Sequence, residues 1–236
     1  MAVEVDPLRR SLLVRMLAAG AFVATGMGCA GVVGRRPQRL PEGRSIYRLE
    51  NGARINGERA TETTLIAAGD EVETDAGGLV FVVGDAAFYA RPRSRILIGE
   101  RGDERRLDGL TLIRGGVLSV FGGGAYRLQT PHALVGIRGT GVYVQLEDDQ
   151  DYVCTCYGTV VIEARADARS REEIVSVHHD APRYVLASGA SGQLVQPAPF
   201  KDHTDEELIL LEALVGREPP ISVLTSGYSI PRRSSY

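Results

Sequence analysis

Leu79-Val80-Phe81-Val82-Val83, then Gly84-Asp85, then Ala86-Ala87-Phe88-Tyr89-Ala90 is the stretch from which the fold is read. Each apolar run is too short for a buried helix and is rich in β-branched and aromatic side chains. The Gly-Asp pair between them marks a turn. From Ser45 onward the same pattern returns at Thr64–Ala67, Ile96–Ile98, Leu110–Ile113, Val117–Phe121 and Tyr126–Gln129, then at Val142–Leu146, Tyr152–Cys156 and Thr159–Glu163. Short strands recurring roughly every 8 to 12 residues between turn signals predict an all-β fold: a sandwich, a barrel or a solenoid-like stack.

Beyond residue 163 the pattern changes. Arg165–Glu173 is charged and reads as a hairpin loop, followed by two further strands at Ile174–Val177 and Tyr184–Ala187. Thr204-Asp205-Glu206-Glu207 is a capping box, in which Thr204 satisfies a free amide of the first turn and Glu207 reaches back. Leu208, Leu211 and Leu214-Val215 then follow at helical spacing, until Gly216 and Pro219-Pro220 end a short carboxy-terminal α-helix. The organisation expected is a β domain over 45–163, a β extension with its helix over 164–221, and a disordered polar tail over 222–236.

Residues 1–28 read as an export signal. Arg9-Arg10-Ser11-Leu12-Leu13 fits the twin-arginine pattern, and Met16–Gly28 is uncharged and rich in small residues. Cys29 follows Gly26-Met27-Gly28, where a bacterial lipoprotein is cleaved and acylated. The competing reading retains residues 16–34 as a membrane anchor, since that uncharged run approaches the roughly 20 residues that span a bilayer. Gly20, Gly26, Gly28, Gly31 and Gly34 within it weigh against a span. Residues 29–44 form a linker. The expected location is the periplasm, with lipid anchoring through Cys29.

Charge and motifs exclude several functions. The net charge is −3, and no basic patch of the kind that binds nucleic acid is evident, although every basic residue except Lys201 is arginine. There is no nucleophile elbow, Gly-rich phosphate loop, HExxH or spaced acidic pair, so no enzyme is expected.

Three elements carry a resemblance: Gly69-Asp70 with Thr74; Leu112-Ile113-Arg114-Gly115-Gly116-Val117-Leu118; and Thr130-Pro131 through Ala133 to Val135-Gly136-Ile137-Arg138-Gly139-Thr140. In order and spacing they resemble the FecR domain of bacterial ferric-citrate regulators, over about Tyr47 to Ile162. The resemblance implies a stacked, solenoid-like extracytoplasmic β module that senses or binds, contacts another envelope protein and serves iron-related signalling. Only Met1–Leu8 precede the two arginines, so a conventional cytoplasmic anti-sigma segment is not expected. Arg138, Gly139 and Thr140 have two readings: a tight bend with a planar arginine fork, or a contact to an anionic ligand or partner.

Two of the three cysteines and all four histidines fall between His132 and His203, which points to a site. Cys154 and Cys156 lie two apart on a predicted strand and so share a face. On a regular strand their Cβ atoms stand roughly 6.5 Å apart, too far for a disulfide without a bend. Tetrahedral coordination of a transition metal such as Zn or Fe is within reach of thiolates leaning inward, with His178, His179 and His203 as completing ligands. Adjacent histidines on a strand point to opposite faces, so one of His178 and His179 is expected at any one site, and Asp180 either orients that histidine from behind or makes a turn with Ala181-Pro182. Structural burial and a disulfide are the other fates open to an exported Cys-x-Cys pair. His132, after Pro131, reads as a turn or packing residue.

Overall fold

The structure is a computed structural model that describes residues 38–101 and 106–218. The expected export signal over 1–28 with Cys29, the alternative anchor over 16–34 and the expected tail over 222–236 all lie outside the described residues.

Strands make up 53% of the described residues, and one short helix follows the last of them, which is the all-β class with a carboxy-terminal helix. In chain order the first eight strands are β1 (Ile46–Leu49), β2 (Ala53–Ile55), β3 (Glu58–Arg59), β4 (Glu71–Thr74), β5 (Leu79–Val83), β6 (Ala86–Ala90), β7 (Arg95–Arg101) and β8 (Arg106–Arg114). Then come β9 (Gly116–Val120), β10 (Ala125–Gln129), β11 (Ala133–Leu146), β12 (Gln150–Ala164), β13 (Asp167–Ser176), β14 (Arg183–Leu186), β15 (Val195–Pro197) and the helix α1 (Asp205–Leu214). They join one sheet in the order β1-β5-β6-β9-β11-β10-β8-β7-β4-β2-β3, curled into a half-barrel. β12 pairs with β11 and carries β13 and β14 on its other side.

The apolar runs are continuous because both faces of the sheet are covered. In β5, Leu79, Phe81 and Val83 enter the large core inside the curl, where Phe81 stacks on Phe88 at 5.0 Å. Val80, between them, faces a second cluster with Leu118, Val120 and Tyr143, sealed by Leu208, Leu211 and Leu214 of α1. β12 divides its side chains in the same way, with Val153 in the large core and Tyr152, Cys154 and Cys156 in the cluster under the helix.

Arg138-Gly139-Thr140 is the corner of this sheet. Along one edge, β11 pairs with β10 up to Arg138 and with β9 from Gly141 onward, and its register with β12 shifts between those residues. Gly139 adopts φ 54° and Gly158 opposite it φ 87°, the left-handed region that glycine enters without strain. The buried Thr140 hydroxyl donates to the Tyr157 carbonyl and pins the corner. Arg138 itself is exposed. Gly139 and Gly158 line a surface groove of about 570 Å³ with Phe121, Tyr157 and Val177.

Two sequence expectations are corrected. Thr64–Ala67 is irregular, because the threonine hydroxyls bond to one another and Ala67 donates to Asp70 instead of to a neighbouring strand. Arg165–Glu173 is mostly strand: only Arg165-Ala166 turn, and from Asp167 the charged residues alternate with Ser170, which is 1% exposed. The charges occupy the outer face of a half-buried strand, which composition alone does not separate from a loop.

Candidate metal centre

Three parts of the chain meet beneath the amino-terminal end of α1. Cys154 and Cys156 come from β12, where the strand's period of two places both thiols on the helix side, each 0% exposed. His179 lies just past β13, its φ of 54° turning the chain back over the sheet, and its backbone N–H donates to the Cys156 carbonyl at 2.9 Å. His203 immediately precedes Thr204, the N-cap of α1, and its ring stacks on Tyr143 at 4.6 Å with 3% of the residue exposed.

One donor atom from each of these four residues lies within 4.8 Å of the other three. Cys154 Sγ is 3.6 Å from His179 Nδ1, Cys156 Sγ is 3.4 Å from His203 Nε2, and the two ring nitrogens are 3.1 Å apart. With Zn–S bonds of about 2.3 Å and Zn–N bonds of about 2.05 Å, a tetrahedron has edges of about 3.6 Å from sulfur to nitrogen and about 3.3 Å between nitrogens. Three of the six donor spacings are therefore already close to the edges of a Cys2His2 site.

The far nitrogens fix the tautomers. His203 Nδ1 donates to the Lys201 carbonyl at 2.8 Å, and His179 Nε2 donates to Asp205 Oδ1 at 3.0 Å. Each ring thus turns a lone pair inward, and two lone pairs 3.1 Å apart need a proton or a cation between them. A carboxylate behind one ligating histidine and a carbonyl behind the other is the usual support of a metal site.

Charge follows the same layout. Burial would raise the Cys154 thiol, but hydrogen bonds from Cys156, His179 and His203 outweigh it and hold that thiol well below the ordinary range. Burial, together with the adjacent Cys154, pushes Cys156 well above it. Burial would lower His179, yet Asp205 and Cys154 raise it to about 9. Without metal, these opposing shifts favour a thiolate at Cys154 over one at Cys156, beside a His179 that holds its proton more tightly.

Of the sequence candidates, Cys154, Cys156, His179 and His203 converge. His178 stands behind them, its Nε2 2.8 Å from the same Asp205 oxygen that holds His179. Asp180 takes the turn-forming of its two expected places: its carboxylate accepts from the Val177 and His178 backbone amides and shapes the turn after β13. Asp205 is the carboxylate behind the histidines, and sequence reasoning missed it because it stands inside a capping box that already explained its presence. Half-buried His132 is elsewhere, donating through its backbone to Asp151. Arg138, Gly139 and Thr140 lie at the sheet corner.

No family model and no curated protein matches this sequence. Two solved structures, each described as a "putative anti-sigma factor" from Parabacteroides distasonis ATCC 8503, are similar in shape with TM-score 0.41 and 13% identity. The similarity covers 51% of this chain and 57% and 56% of those chains, so this chain matches little more than half of their length.

Proposed function

We propose that this chain is a non-enzymatic metal-binding module of the cell envelope, a FecR-like β domain whose Cys154, Cys156, His179 and His203 hold one divalent transition metal, zinc in first place. The observation that carries this reading is the near-tetrahedral spacing of four buried donors whose tautomers are already set by Lys201 and Asp205. Four protein ligands leave no open position for substrate or water, which favours a structural metal over a catalytic one. Its role is then to fasten the segment carrying His203 and α1 to the sheet. The envelope location is supported by the signal-like residues 1–28, and a sensing role among envelope proteins by the FecR-like sequence elements.

Elemental analysis of the full chain, purified without added histidines under reducing conditions, tests the metal. About one metal per chain is expected in the parent and none in the Cys154→Ser, Cys156→Ser double variant. Iron in place of zinc would link this member to the iron-related role that the resemblance implies. Absence of metal from the parent, even after loading with zinc, would reject the reading.

A further inference from the structure

β13 pairs with β12 on one side, and no described strand pairs with its other edge. Such an edge presents unpaired backbone groups to any strand of matching register. On its outer face stand Val175 and, one step past the strand, Val177, which are 69% and 76% exposed, more than any other large apolar side chain among the described residues. Arg169, Arg171 and Glu173 precede them on that face, while Ser170, Ile174 and Ser176 turn inward and are buried.

From this edge we infer that a second copy of the chain docks by antiparallel pairing of β13 with β13, on a twofold axis through Glu172. The argument is self-complementarity. In an isologous contact residue i meets j and j meets i, and an axis at Glu172 sets Arg171 of each copy opposite Glu173 of the other. The same register sets Val175 against Arg169, whose aliphatic stem covers an apolar neighbour while its guanidinium stays in water. The two Glu172 residues meet on the axis without repulsion, because each is already held by its own Arg183 at 2.7 and 2.5 Å. Arg171 gives up little within its own chain, since Glu163 is 3.9 Å away and Arg171 itself is exposed to solvent.

Sedimentation of the full chain, with and without charge reversals, tests this surface. The parent is expected to sediment as a dimer. Arg171→Glu sets two acids against each other across the axis and Glu173→Arg sets two arginines against each other, so each single variant is expected to weaken the dimer about tenfold or more. In an equimolar mixture of the two variants, both acidic side chains of one chain face both arginines of the other, and the mixture is expected to sediment as a heterodimer. Circular dichroism of each variant shows that it is folded. A parent that stays monomeric, single variants that dimerise like the parent, or a mixture that does not recover the dimer would each overturn the proposal.

Discussion

Asp205 has two tasks at once. As the first residue of α1 it places a carboxylate at the positive end of the helix, where anions are favoured, and its Oδ1 holds both His178 and His179. Loss of its charge while keeping its shape should therefore loosen His179 Nδ1 from the donor set without removing a ligand. Asp205→Asn is expected to retain one metal per chain but bind it about 10- to 100-fold more weakly, as read by competition with a chelator. The protons carry a second prediction. His179, raised to about 9, stays charged at neutral pH in the metal-free protein, and Cys156 keeps its proton. The raised His179 pKa stabilises the metal-free fold fully below its ordinary value of about 6.5, and that contribution fades as pH rises through about 9. Metal competes for these same lone pairs, so its apparent affinity climbs across that window. Loading near neutral pH is expected to release about two protons, measurable by calorimetry in buffers of different ionisation heat. The sequence shows why these residues are candidates, because two of the three cysteines and all four histidines are concentrated in one region. It does not show that Asp205, and not Asp180, stands behind them, since both sit in local turns and caps that explain them equally well.

α1 is only ten residues long, too short to be stable in isolation. Its capping box forms as read from Thr204 and Glu207, because a cap is a local device and local sequence specifies it. What holds the helix down is not local. Glu207 also pairs with Arg91 at 2.6 Å, 116 residues away. Burial would raise the Glu207 carboxyl, but that guanidinium outweighs it and lowers it. The pair therefore stabilises the fold above the usual carboxylate range and weakens in acid as pH falls through the lowered value. Leu208, Leu211 and Leu214 add their burial against the sheet, roughly 1.5–3 kcal/mol each. The metal would add a ligand one residue ahead of the N-cap, which makes docking of the helix depend on metal occupancy. Chelation is expected to speed amide exchange across 205–214 while β5, β6 and β9 keep their protection, as read by hydrogen exchange. Equal protection of the helix with and without metal would show that the leucines and Arg91 suffice. At this scale the misread Arg165–Glu173 is also instructive: alternation of charge with Ser170 and Ile174 marks a strand, but serine counts as polar in the pattern although it is buried here.

Across the molecule, many of the strands from β5 onward were legible while the short strands β1 to β4 and the order of the sheet were not. β5 and β6 follow from two apolar runs around Gly84-Asp85, but nothing local places β1 beside β5 or sets β10 parallel to β8. The sheet can curl because β11 and β12 turn one shared corner, and the Arg138-Gly139-Thr140 motif makes that corner visible in sequence without revealing which strands it joins. The corner is also linked to the donor pocket, since Gly158 lies two residues past Cys156 on the same strand. At Gly158 a Cβ would come within 2.7 Å of the Thr140 Cβ and 2.9 Å of the Gly139 carbonyl oxygen, at φ 87°. Neither neighbour can yield, because Thr140 is bonded to the Tyr157 carbonyl and Gly139 is the other half of the bend. Gly158→Ala thus combines left-handed strain with a clash against backbone and is expected to lower stability by about 2–5 kcal/mol in urea unfolding. It should weaken metal binding as well, because relief of the clash requires β12 to move next to Cys156. Gly123→Ala provides the contrast: its Cβ would meet nothing within 4 Å, so both measurements should stay at the parent values. If Gly158→Ala destabilised the sheet while leaving metal affinity untouched, the corner and the pocket would be mechanically separate, and the curl of the sheet would not be what sets the spacing of the donors.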